Sequence, residues 1–200
     1  MRTSNNGDLM KIKKHLSFGG LINVLSNHLK GLPDSRQEKK SEYTLHDAFM
    51  SGFACMYFQD PSLLQFQERL KQRQNKDNLE TLFKVERTPE STQLKKIIDD
   101  TDSDHLRSIF NEFFFRLQRG KHLEQYQVLP GLYACSIDGT QYFSSKNIHC
   151  LNCLVTHHKN GETTYSHKVL QAAIIHPDIR QVIPLMPEEI VNSDGTSKQD

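Results

Sequence analysis

The stretch "NIHCLNCLVTHH" sets Cys150 and Cys153 in a C-x₂-C spacing, with His149, His157 and His158 beside them and His167 further on. Thiolates at that spacing form half of a tetrahedral zinc site, and imidazole nitrogens complete such sites. The pattern therefore offers zinc at Cys150, Cys153, His157 and His158. The competing reading is two buried thiols in a histidine-rich hairpin, because no second CxxC completes the set. A redox dithiol would need a helix N-terminus to stabilise its thiolate, and no helix signal follows Cys150.

The other chemically suggestive residue is Asp138, in "LYACSIDGTQYFSS". An apolar run with Leu132, Ala134 and Ile137 leads to it, and Gly139 and Thr140 follow. Asp-Gly is a common turn dipeptide, since Gly takes positive φ cheaply and Asp bonds nearby backbone N–H groups. The alternative is a metal-ligating carboxylate fixed at the tip of a strand. Two or three such carboxylates would hold the Mg²⁺ ions that in-line attack on a phosphodiester requires; one alone would not. There is no Walker loop, no GxGxxG and no obvious nucleophile triad.

Basic residues fall in three clusters: Lys11, Lys13 and Lys14; Arg69, Lys71 and Arg73; Arg116, Arg119 and Lys121. Each is a candidate set of DNA phosphate contacts, to be weighed against an ordinary solvated surface. Residues 1–125 carry 20 Lys+Arg against 17 Asp+Glu, and residues 126–200 carry 5 against 7. The net charge of +1 thus hides a mildly basic and a mildly acidic part.

These residues need elements to position them. At 200 residues the chain has room for one or two domains. No apolar stretch approaches the ~18–20 residues of a membrane span, so no membrane partner is expected. The N-terminus has no apolar stretch before a cleavage site, from which an intracellular protein with thiols rather than disulfides is expected.

Residues 1–127 read as helical. Leu21, Ile22, Leu25 and Leu29 share one helical stripe. "TLHDAFMSGFACMYF" opens on a capping pattern at Thr44 and Asp47 and is apolar enough for a buried helix. Asp60 and Pro61 suit the N-cap and first position of a helix running on through "SLLQFQERLKQRQNK". Thr88 or Ser91 can cap a helix with Leu94, Ile97 and Ile98 inward. Ser103 can cap one that ends at Gly120, with Leu106, Ile109, Phe110, Phe113, Phe114 and Leu117 as its core stripe.

Residues 128–200 read as about three mostly antiparallel strands. The first ends near Asp138, and Asn160-Gly161 signals a hairpin. Pro184 and Pro187 make "RQVIPLMPEEI" an edge strand or its tail. The polar "VNSDGTSKQD" supplies no closing element, so one sheet face is expected to lie uncovered, and residue 200 is expected not to be the natural end of the fold. The fold class expected is α+β.

The block "IDGTQYFSSKNIHCLNCLVTHHKNGETTYSHKVLQAAIIHPDIRQVIPLMPEEI" resembles the start of the catalytic domain of bacterial insertion-sequence transposases of the DDE class. "VERTPESTQLKKIIDDTDSDHLRSIFNEFFFRLQRGKHLEQY" resembles the helical segment before it. The resemblance implies a ribonuclease-H-like mixed sheet, with Asp138 as first catalytic residue and Mg²⁺ ligand. It implies DNA as partner, both the element's terminal repeats and target DNA, and a bacterial cytoplasmic, nucleoid-associated location. The family's second Asp and its Glu have no counterpart here. Asp194 and Asp200 lie in the wrong context, and Glu188 and Glu189 read as solvated charge. The chain thus reads as a helical, DNA-end-binding part (1–127) and the truncated start of a catalytic domain (128–200). The alternative is a non-catalytic fragment that binds element ends, self-associates, or pairs with full-length transposase and inhibits it.

Overall fold

The computed structural model describes residues 16–34, 36 and 41–191, with side chains except at 73–75. Lys11, Lys13 and Lys14, the Arg73 side chain, Asp194 and Asp200 lie outside the described residues. The chain divides into two compact units, Met1–Arg116 and Leu117–Asp200. The division falls inside a helix, ahead of the change in character at Val128.

The first unit is helical: α1 (Phe18–Lys30), α2 (Leu45–Tyr57), α3 (Leu63–Leu70), α4 (Arg73–Phe83), α5 (Ser91–Asp99) and the start of α6 (Arg107–Arg119). Thr44 caps α2 as its sequence suggests, its Oγ1 accepting the Asp47 N–H at 2.9 Å. The Asp47 carboxylate does not close the capping box; it accepts the Glu86 N–H instead. The main core joins Ile22 and Leu29 of α1, Met50, Ala54 and Cys55 of α2, Phe66 of α3, and Leu79 and Phe83 of α4. A second cluster packs Leu45 and Ala48 of α2 against Leu94 and Ile97 of α5.

Four helix boundaries depart from the sequence reading, the first being α5, whose N-cap is Glu90, with no side-chain cap bond, rather than Thr88 or Ser91. Asp60 does not cap α3: its carboxylate is held by the Arg69 guanidinium, and Ser62 Oγ accepts the Gln65 N–H in its place. The run expected as one helix through Lys76 breaks at Lys71 and Gln72 into α3 and α4, so that Phe66 and Phe83 both reach the core. Asp102, not Ser103, caps a short 3₁₀ turn (Ser103–Leu106) ahead of α6. The aromatic stripe of α6 is also less buried than its spacing suggests. Only Ile109 is buried, while Phe110, Phe113 and Phe114 are half-buried.

The second unit is an antiparallel sheet, which makes the chain α+β. A 3₁₀ turn (His122–Tyr126) leads into β1 (Gln127–Leu129), β2 (Leu132–Ser145), β3 (Leu154–His157), β4 (Thr163–His176), β5 (Ile179–Pro184) and β6 (Glu188–Ile190). The spine is β4. On one side it pairs with β2 from Ala134↔Ile175 to Ser145↔Tyr165. On the other it pairs in succession with β3, β6 and β5. The Asn160-Gly161 signal is realised as the β3–β4 hairpin, with Gly161 at φ +83°. The "RQVIPLMPEEI" run becomes two short strands on the β4 edge, separated by Leu185, Met186 and Pro187. The sheet leaves Leu132, Ile137, Leu170 and Val182 exposed.

The expected strand end at Asp138 is not observed. β2 continues seven residues beyond it, and Asp138 pairs with Gln171 in mid-strand. Neither does Asp138-Gly139 form a turn. Thr140, Tyr142 and Phe143 are strand formers, β4 offers partners along the whole length, and the irregularity falls instead as a bulge between Gln141 and Phe143.

Candidate metal centre and strand carboxylate

The β3–β4 hairpin determines what meets Cys150 and Cys153. Reflection about Asn160-Gly161 sets Leu154 opposite Ser166. The next position outward, Cys153, then falls opposite His167, since side chains at paired positions share a sheet face. Cys150 joins them through a tight turn in which the Cys153 N–H reaches Cys150 O and the Cys150 N–H reaches Cys153 Sγ, both at 3.3 Å. The two sulfurs are 3.7 Å apart, and His167 Nε2 lies 3.2 Å from Cys150 Sγ and 3.3 Å from Cys153 Sγ. Cys153 is buried, His167 half-buried and Cys150 exposed. Three donor atoms thus converge on one point that could hold a metal ion.

The histidines expected there are engaged elsewhere. His157 Nδ1 pairs with Thr163 Oγ1 at 3.1 Å, and His158 Nε2 pairs with Thr164 Oγ1. His149 stacks on Tyr165, with ring centroids 4.4 Å apart. Closeness in sequence favoured His157 and His158; strand register favours His167, and the Asn160-Gly161 turn is the signal that could have found it. The His167 ring is held between Tyr142 and Phe143, each with its ring centroid 5.8 Å away, where the β2 bulge brings two consecutive aromatics to it. Burial, reinforced by Glu189 and the two thiols, raises the Tyr142 hydroxyl pKa. No helix follows Cys150; β3 does.

Asp138 is exposed and accepts a hydrogen bond from the N–H of Gly139, its own neighbour, at 2.8 Å. Its register partner Gln171 lies four residues beyond His167 on β4. Asp138 and His167 therefore share a sheet face, separated along the strand by about 13 Å. Among the described residues, no three potential ligands converge around Asp138. By themselves, then, these residues do not fit a Mg²⁺ site.

The basic candidates differ in how they are held. Arg69 grips Asp60 through Nε and Nη2 at 2.9 and 2.6 Å, and its guanidinium lies 4.4 Å from the Phe58 ring centroid. Lys71 pairs with Glu68 at 2.6 Å and Arg116 with Glu112 at 2.9 Å. Arg119 and Lys121 are exposed.

One polar group escaped the sequence reading. Ser26 Oγ lies 2.9 Å from His46 Nε2, and His46 Nδ1 lies 3.6 Å from Asp47 Oδ1. The order is that of a nucleophile, base and orienting acid. Ser26 is only 1 % exposed, however, and does not line the adjoining open groove, which His46, Asp47, Lys84 and Glu86 do line. With the Ser26 hydroxyl buried, the hydrogen bond to His46 braces α1 against α2.

Comparison with protein families, curated proteins and solved structures finds no match to this chain. Among the described residues, no helix is long and apolar enough to cross a membrane.

Proposed function

We propose that this chain belongs to a DDE-class transposase that acts on the ends of a bacterial insertion sequence, in the cytoplasm and at the nucleoid. The reading rests on the resemblance around "SIDGTQYF", and one observation supports it best. Asp138 stands exposed on a long strand paired along its length to β4, so its backbone is fixed by the sheet and its carboxylate is open to a large substrate. The antiparallel order β2, β4, β5 suits the opening of a ribonuclease-H-like sheet. Such an enzyme hydrolyses donor DNA at the element's ends and joins the freed 3′-OH to target DNA. In that chemistry Mg²⁺ activates the attacking oxygen and stabilises the leaving one. Asp138 would be one ligand. Because the described residues supply no second or third, no step through the metal follows from this chain alone.

A second reading draws on that same absence of convergent carboxylates around Asp138. In it the chain is a non-catalytic protein that binds element ends or restrains a complete transposase. The DNA that follows codon 200 separates the two readings. The transposase reading expects one of its frames to encode a strand ending in Asp and a later helix bearing Glu. If no frame does, that reading fails; where one does, Mg²⁺-dependent nicking of a terminal-repeat substrate separates the two.

A further inference from the structure

We propose that Cys150, Cys153 and His167 bind one zinc ion, which fastens the loop after β2 and the short strand β3 onto β4. Regular tetrahedral zinc, with Zn–S of about 2.3 Å and Zn–N of about 2.0–2.1 Å, sets two sulfurs about 3.8 Å apart and sulfur and nitrogen about 3.5 Å apart. The observed sulfur–sulfur distance is 3.7 Å, and the sulfur–nitrogen distances are 3.2 and 3.3 Å. An ion at those bond lengths closes its S–Zn–N angles to about 95–100°, leaving a wide fourth corner. Among the described residues no fourth donor joins these three, so a solvent oxygen would take that corner. Two thiolates and an imidazole are soft and borderline ligands that select zinc over Mg²⁺ or Ca²⁺. The sulfurs are also far beyond the roughly 2.05 Å of a disulfide.

The surrounding fold gives the ion a structural task. β3 has four residues and, among the described residues, pairs only with β4. Its first residue, Leu154, is one of the few buried apolar side chains among the described residues of this unit, with Cys153 just before it. Small domains with little core commonly rely on a metal or a crosslink. Here the ion ties residue 153 to residue 167 across the strand pair, at the point where β3 begins. Asp138 lies too far along the sheet to share it, so the zinc is independent of any role Asp138 has in DNA chemistry.

The test uses the 200-residue chain, reduced, stripped of metal and titrated with Zn²⁺ or Co²⁺. The expected result is one metal per chain, with thiolate-to-cobalt charge transfer and the intense visible bands of a tetrahedral site. Cys150→Ser, Cys153→Ser and His167→Ala lose the bound metal, whereas His157→Ala and His158→Ala retain it. A measurement on the unaltered chain guards against variants that fail to fold. Zinc should protect Cys150 and Cys153 from alkylation, read peptide by peptide, while exposed Cys135 reacts equally with and without it. Three results would overturn the proposal: no stoichiometric uptake by the reduced chain, full retention by His167→Ala, or equal alkylation of all three cysteines with zinc present.

Discussion

Arg69→Ala distinguishes a structural arginine from a DNA contact. The guanidinium makes a bidentate, charge-assisted bond to Asp60 and lies over the Phe58 ring, 4.4 Å from its centroid. The Asp60 side chain is only 11 % exposed and that of Arg69 27 %, so truncating Arg69 strands a mostly buried carboxylate. Bonds to charged groups contribute about 1.5–3 kcal/mol and a partly exposed cation–π contact about 0.5–1 kcal/mol. Discounted for the exposed quarter of the arginine, the expected loss is about 2–3 kcal/mol. At roughly 4–5 °C per kcal/mol for a unit of this size, Tm falls by about 8–15 °C. Asp60→Ala should cost a similar amount, and the double variant clearly less than the sum, because both changes remove one interaction. Thermal melts give the stability, and anisotropy titrations on duplex DNA at several salt concentrations give the slope of log K against log salt. Arg69→Ala should leave that slope unchanged. An unchanged melt with a slope reduced by about 1, the signature of one lost phosphate contact, would refute this reasoning and return Arg69 to the DNA-binding set.

Phe66→Ala should cost about 3–5 kcal/mol in chemical denaturation, because Phe66 is fully buried at the centre of the helical core. Burial acts to raise the Asp47 pKa, but hydrogen bonds from His46, the Glu86 N–H and Thr44 outweigh it and hold the carboxyl below its ordinary value. The stability linked to that lowered value is present above the unfolded pKa of about 3.9 and is lost as pH falls through the folded value. Asp47→Asn should therefore flatten the acid limb of a Tm-against-pH curve below about pH 4. Asp138→Asn should leave the melt within about 0.5 kcal/mol of the parent, since the side chain is exposed and bonds only its neighbour's backbone.

Much of the helical unit was legible because its signals are local. The stripe of Ile22, Leu25 and Leu29 and the cap at Thr44 depend on residues within a few positions of one another. Errors arose where a distant partner decided the outcome. Asp60 is a good cap in isolation, but Arg69, nine residues on, claims its carboxylate. The break at Lys71 and Gln72 has no Gly or Pro to announce it; it is set by Phe66 and Phe83 meeting in one core. In the sheet, Asp138-Gly139 looked like a terminus because its residue types favour turns, yet continuous pairing with β4 carries the strand through. The two sulfurs of the candidate metal centre were legible from their spacing. His167 stood among the candidate nitrogens but was passed over for His157 and His158, because it reaches the sulfurs through hairpin register rather than closeness in sequence.

A nicking assay decides whether Asp138 serves DNA cleavage. The protein to use is this chain joined to the segment, in whichever frame after codon 200 encodes it, that carries the expected strand Asp and helix Glu. The substrate is an end-labelled duplex carrying the element's terminal repeat, assayed with Mg²⁺ and, separately, with a chelator. Mg²⁺-dependent nicks are expected at the repeat boundary, and they should vanish in Asp138→Asn while its melting curve stays unchanged. Nicking by Asp138→Asn at the parent's rate, or no Mg²⁺-dependent nicking by the folded parent, would contradict that role.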